Sequence, residues 1–124
     1  MLVIQVAAKA EMPDIPKFAD ETVSAGINSR FENSEDEFLV GGGVATFNCD
    51  DSGLPSMYIT AGANRSKFYR NASAADGTLK FNEEVSGLET GNAIGAYPID
   101  IDADGKTDLV VLRVGAVQVY RGVG

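Results

Sequence analysis

Two stretches of this chain are versions of one pattern, and that repeat limits the fold more than any other feature. GGGVATFNCDDSGLPSMYIT, from residue 41, aligns with AIGAYPIDIDADGKTDLVVL, from residue 93. Gly43 falls on Gly95, Asn48 on Asp100, Gly53 on Gly105 and Met57 on Leu109, each at an offset of 52. Further on, SKFYRN around Tyr69 matches VQVYRG around Tyr120 at an offset of 51. Upstream, FADETVSAGI from Phe18 matches FNEEVSGL from Phe81 at an offset of about 63. The longer offset comes from about 11 extra residues in the first copy, the polar and acidic NSRFENSEDEF, as expected of a surface insertion. A tandem unit of this length, made of several short segments, points to stacked β units.

The local pattern agrees. GVATF, SMYIT, KFYRN, TLKFN, IGAYPID, DLVVLRV and AVQVYR are short, rich in β-formers and bounded by Gly, Asn, Asp and Ser clusters. DLVVLRV is almost wholly apolar, as befits an inner strand covered on both faces. No segment keeps a helical period, so the expected class is all-β, and the repeat favours two propeller-type blades over a generic β-sandwich with accidental self-similarity.

The nine residues DIDADGKTD, Asp100 to Asp108, place four aspartates and one lysine between two apolar runs. Alternate side chains of a tight loop converge, and Ca²⁺ takes six to eight hard oxygen ligands at about 2.3–2.6 Å. Asp100, Asp102, Asp104 and Asp108 supply carboxylates, and the Lys106 carbonyl supplies a backbone oxygen. Gly105 allows the positive φ that turns the chain. A bound Ca²⁺ takes the loop from a charge of −3 to −1 and turns repulsion into a cross-link. Mg²⁺ fits such a flexible carboxylate set less well. Position 12 of an EF-hand would be Val111, and the flanks read as strands, so the loop is a hairpin connection. The first copy has Asn48, Asp50, Ser52, Gly53 and Ser56 at the equivalent places. It keeps the turn and loses most of the charge, so it is expected to bind weakly or stay empty.

Composition narrows the chemistry. There is no His, which removes the commonest general base and transition-metal ligand. The single cysteine, Cys49, excludes an intrachain disulfide, reads as a small buried filler, and has no His to activate it. A net charge of −8 disfavours nucleic acid and anionic membrane, and no segment is long enough to span a bilayer. The acidic pairs Glu83-Glu84 and Asp50-Asp51 place neighbours on opposite faces of a strand and read as solvated charge, not as a catalytic pair. Asn64-Arg65-Ser66 and Asn71-Ala72-Ser73 have the form of glycosylation sequons but sit where turn asparagines belong. Phe68, Tyr69 and Tyr120 read as sheet packing before a ligand groove. MLVIQVAAKA, ending in an A-x-A form, reads as the remnant of a secretion signal or as a plain strand.

Taken together, FADETVSAGI, GGGVATFN, MYITAG, NRSKFYRN, FNEEVSGL and IDIDADGKTDLVVL resemble the FG-GAP/VCBS repeat family, most of all bacterial proteins similar to cartilage acidic protein that often carry an ASPIC/UnbV segment. That segment is absent from this sequence. The resemblance implies four-stranded antiparallel blades with Ca²⁺ in the loop joining the first two strands, held by Asp100, Asp102, Asp104, Lys106 and Asp108. With the candidate signal remnant at 1–10 set apart, it divides the chain into a first repeat at 11–76 with an acidic insertion at 28–40, and a second repeat at 77–124 with its calcium loop at 100–108. It implies a secreted or periplasmic binding or adhesion module, not an enzyme, whose partner is a protein or carbohydrate. The alternatives are an N-terminal fragment of a propeller-type secreted enzyme acting on polysaccharide or lipid, and a degenerate fragment without activity of its own. Two blades cannot close a propeller, so exposed sheet edges are expected to favour self-association.

Overall fold

The computed structural model describes residues 14–33, 41–50 and 52–124. The candidate signal remnant and residues 34–40 of the acidic insertion lie outside the described residues. Among the described residues there is no helix, and none that could cross a membrane.

Seven strands form where seven were read. They are β1 (Val44–Phe47), β2 (Ser56–Ile59), β3 (Lys67–Asn71), β4 (Phe81–Glu84), β5 (Ala93–Ile99), β6 (Asp108–Arg113) and β7 (Ala116–Tyr120). β1 to β4 make one antiparallel sheet in sequence order, and β5 to β7 make a second. The all-β expectation holds, although the second sheet has three strands where the resemblance implied four. TLKFN was read as a strand from its β-formers, but pairing starts only at Phe81, opposite Asn71. The turn Ala74–Thr78, closed by Ala74 and Gly77 amides, consumes the residues before it. β4 was counted with the second copy in sequence, and its hydrogen bonds are to β3 of the first sheet.

The sheets share one core. Ala45, Tyr58 and Phe68 come from the first, and Ala93, Ala96, Leu109 and Val111 from the second. The alternation of SMYI is read directly in its burial, with Ser56 and Tyr58 inward. Tyr58 is fully buried, so its hydroxyl needs a partner, and it donates to the Leu88 carbonyl at 3.0 Å. β6, the apolar DLVVLR, is the central strand of its sheet, flanked by β5 and β7. Phe47 stacks on Phe68 with centroids 6.1 Å apart, and Arg70 lies over Phe68. Phe68 is thus consumed by packing in this core, Tyr69 is fully buried outside it with its hydroxyl donating to Asn28 Oδ1 at 2.7 Å, and Tyr120 packs half-buried against the core.

Candidate metal centre

Residues 100–107 connect β5 to β6, two strands of one hairpin, and Asp108 opens β6. Asp108 is 3% exposed, and both its oxygens are held. Oδ1 accepts the Gly122 amide at 2.8 Å and Oδ2 the Ile101 amide at 2.9 Å. The Gly122 amide first, then Ile101, hold its carboxyl below the ordinary carboxylate value despite burial. Gly122 has to be glycine here, because a Cβ would collide with the Thr107 carbonyl. The end of the sheet and the start of the loop are thereby locked together.

The rest of the loop folds on its own carboxylates. Asp100 accepts the amides of Asp104 at 3.1 Å and Gly105 at 2.9 Å. Asp102 Oδ1 accepts the Asp104 amide at 3.3 Å, and Asp104 Oδ1 accepts the Lys106 amide at 2.9 Å. Gly105 has φ +83°, the conformation its position required, and Ala103 takes φ +58° as well.

Asp100, Asp102 and Asp108 each present a carboxylate oxygen, and these three lie within 4.8 Å of one another. Asp104 stands outside that set. Its Oδ2 faces Arg121 Nη2 at 3.3 Å, and the same nitrogen meets Asp102 Oδ2 at 2.7 Å. Lys106 sends its Nζ to the Val123 carbonyl. Of the four expected carboxylate ligands, three lie together. The role of Arg121 escaped the sequence reading, although the YR pair repeats in VQVYRG and SKFYRN.

The first loop has the same skeleton. Asp50 Oδ1 accepts the Ser52 amide at 2.9 Å, and Ser52 Oγ accepts the Leu54 amide at 3.2 Å. Ser56, 1% exposed, takes the place of Asp108, and its Oγ accepts the Asn71 amide at 3.2 Å. Arg70 takes the place of Arg121, with Nη1 2.6 Å from Asp50 Oδ2. Hydrogen bonds from Ser52, and then Arg70, hold the Asp50 carboxyl below its ordinary value. Cys49 corrects one expectation. It is exposed, not a buried filler, because it lies beyond the end of β1 in this loop, with Ser56 Oγ at 3.4 Å and Arg70 Nη1 at 3.3 Å.

Between the two loops runs an open groove of about 470 Å³, walled by Asn48–Asp50 on one side and Gly105–Thr107 and Arg121 on the other. The acidic neighbours in the outer strand face cations. Glu83 meets Lys67 at 3.0 Å and Glu84 meets Arg70 at 2.8 Å. The sequon asparagines do turn work: Asn71 Oδ1 accepts the Ser73 amide and its Nδ2 donates to the Pro55 carbonyl, while Asn64 Nδ2 donates to the Arg30 carbonyl.

A family model described as FG-GAP-like repeat matches residues 49–111, just over half of the chain, from the first loop through the second. No curated protein and no solved structure matches.

Proposed function

The chain belongs to the FG-GAP-like repeat family, and from that premise we propose that it is a propeller-type binding or adhesion module whose second hairpin loop holds a structural Ca²⁺, working outside the cell or in the periplasm. The observation that carries the reading is the convergence of Asp100, Asp102 and Asp108 on one locus at the mouth of a hairpin. The donor set fits the ion. All three are hard carboxylate oxygens, one of them buried, and one guanidinium balances them only in part. Asp104 and the Lys106 carbonyl are the further ligands the loop offers. When bound, Ca²⁺ supplies a cross-link between the start of the loop and the start of β6, and no catalytic step is assigned to it.

The partner of such a module is a protein or a carbohydrate, met by surfaces that the two loops hold rigid. Ligand binding to the folded state alone stabilises by mass action, about 2.7 kcal/mol at a hundredfold excess over Kd. Thermal melts in calcium and in chelator test the reading. A higher midpoint in calcium, abolished by Asp102→Asn, is the expected result. Identical midpoints for the unaltered chain would remove the metal from the account.

A further inference from the structure

Asp104 is the acid of the second loop that stands apart from the other three, and its two oxygens have different tasks. Oδ1 accepts the Lys106 amide at 2.9 Å, and Oδ2 faces Arg121 Nη2 at 3.3 Å. The first contact belongs to the skeleton of the turn. In the first copy Ser52, at the repeat position of Asp104, accepts the Leu54 amide at 3.2 Å with its single hydroxyl oxygen. Asp104 therefore does the work of Ser52 with one oxygen and carries a second. That second oxygen is the one engaged by Arg121.

The arginine is common to both copies, but its surroundings are not. Arg70 Nη1 lies 2.6 Å from Asp50 Oδ2, and Arg121 Nη2 lies 2.7 Å from Asp102 Oδ2, at the same place in the repeat. In the second copy that contact falls at the edge of three gathered carboxylates, Asp100, Asp102 and Asp108. Asp102 thus belongs both to the gathered set and to the arginine, and Asp104 is held on the arginine's side.

A guanidinium and a divalent cation would draw on the same acids here. A carboxylate oxygen in a charge-assisted bond to Nη2 is turned towards a cation outside the gathered set. A divalent ion within the set repels that cation and attracts the same oxygen. The two claims on Asp104 Oδ2 oppose one another.

Resting on the calcium reading above, we propose that Arg121 is a built-in competitor of the metal. It keeps Asp104 Oδ2 out of the ligand set. Calcium at Asp100, Asp102 and Asp108 draws that oxygen in as Arg121 lets go, and the arginine's hold sets the calcium concentration at which the loop fills. The Oδ1 bond to the Lys106 amide belongs to the turn and is kept, so the exchange moves one carboxylate and one guanidinium and leaves the hairpin in place.

Calorimetric calcium titrations of the full chain test this as a cycle of four: unaltered, Arg121→Gln, Asp104→Asn and the double variant. Both positions are exposed, and circular dichroism in chelator confirms that each variant is folded. Arg121→Gln is expected to tighten calcium binding about three- to tenfold, the range that two exposed ion pairs allow. In the Asp104→Asn background the same change is expected to give no more than about twofold, because only Asp102 is left to release. Arg121→Lys, which keeps the charge, is expected to bind closer to the unaltered chain than to Arg121→Gln. An Arg121→Gln chain that binds calcium no more tightly than the unaltered one would overturn this inference and leave the calcium reading standing. So would equal tightening with and without Asp104→Asn. Four chains that bind no calcium would overturn both.

Discussion

Ser56 and Asp108 do the same structural job in two copies of one loop, and only one of them carries a charge. Each is buried at the start of a strand, and each holds an amide at or just past the end of the next strand: Asn71 closes β3, and Gly122 lies two residues beyond β7. Asp50 and Asp102 likewise each accept the amide two residues on and each meet an arginine. In both copies hydrogen bonds within the loop shape the turn. What separates the copies is the replacement of Asn48 and Ser56 by Asp100 and Asp108, which brings three carboxylates to one point. In the second loop the carboxylates that accept the loop's amides are the same ones gathered for a cation, whereas the first loop keeps the turn with mostly neutral acceptors.

The largest effect should come from transplanting the difference. Asn48→Asp, Ser52→Asp and Ser56→Asp together give the first loop the second loop's ligands. Calorimetric titration should then count two calcium ions per chain where one is expected for the unaltered chain, with an added stabilisation of about 2.7 kcal/mol at a hundredfold excess over the new Kd. A triple variant that folds but binds no second ion would show that the two skeletons differ more than their hydrogen bonds do.

Truncating the shared anchor should separate the copies by charge. Asp108→Ala strands two backbone donors, Ile101 and Gly122, that had a charged acceptor, at a cost of about 2–3 kcal/mol in chelator. Ser56→Ala strands one donor from a neutral acceptor and should cost about 1 kcal/mol. Urea titrations in chelator measure both, and equal losses would deny the charge a structural role.

The arginines are expected to matter least for stability. Both pairs are substantially exposed, so Arg70→Gln and Arg121→Gln should each cost less than about 1 kcal/mol in chelator. In calcium they should diverge. Arg121 competes for Asp102 and Asp104, so Arg121→Gln should tighten calcium binding, whereas Arg70→Gln should leave it unchanged.

Acid gives a last and smaller comparison. Asp50 and Asp108 both have carboxyls held below the ordinary value of 3.8 in the folded chain. Their contribution is therefore complete above that pH and is lost as pH falls through the lowered folded values. In chelator, stability should stay level from neutral pH down to about 5 and fall below about 4. Asp108→Asn should flatten that fall more than Asp50→Asn, because Asp108 is the buried one of the two.

Most of the fold was legible because β-formers alternate between Gly, Asn and Asp clusters, so DLVVLR and SMYI declare both their type and their faces. The clustering of the acidic loop was legible because its spacing is local: Asp100, Asp102 and Gly105 act within a single turn. The rest depends on residues distant in sequence. Asp104 turns towards Arg121, 17 residues on, and spacing within the loop cannot register that competition. Cys49 was misplaced because its apolar neighbours in VATF belong to β1, which ends before it at Phe47. The one-strand deficit of the second sheet was hidden for a related reason. FNEEVSGL reads as the start of a repeat, whereas in space Phe81–Glu84 finishes the sheet before it.

The most direct test of the account is a calcium titration of the ¹⁵N-labelled chain followed amide by amide. The expected result is saturable movement of the Asp100–Asp108 and Gly122 signals, with Asn48–Ser56 and Asn71 unmoved. No movement at either loop, or movement at the first loop and not the second, would contradict it.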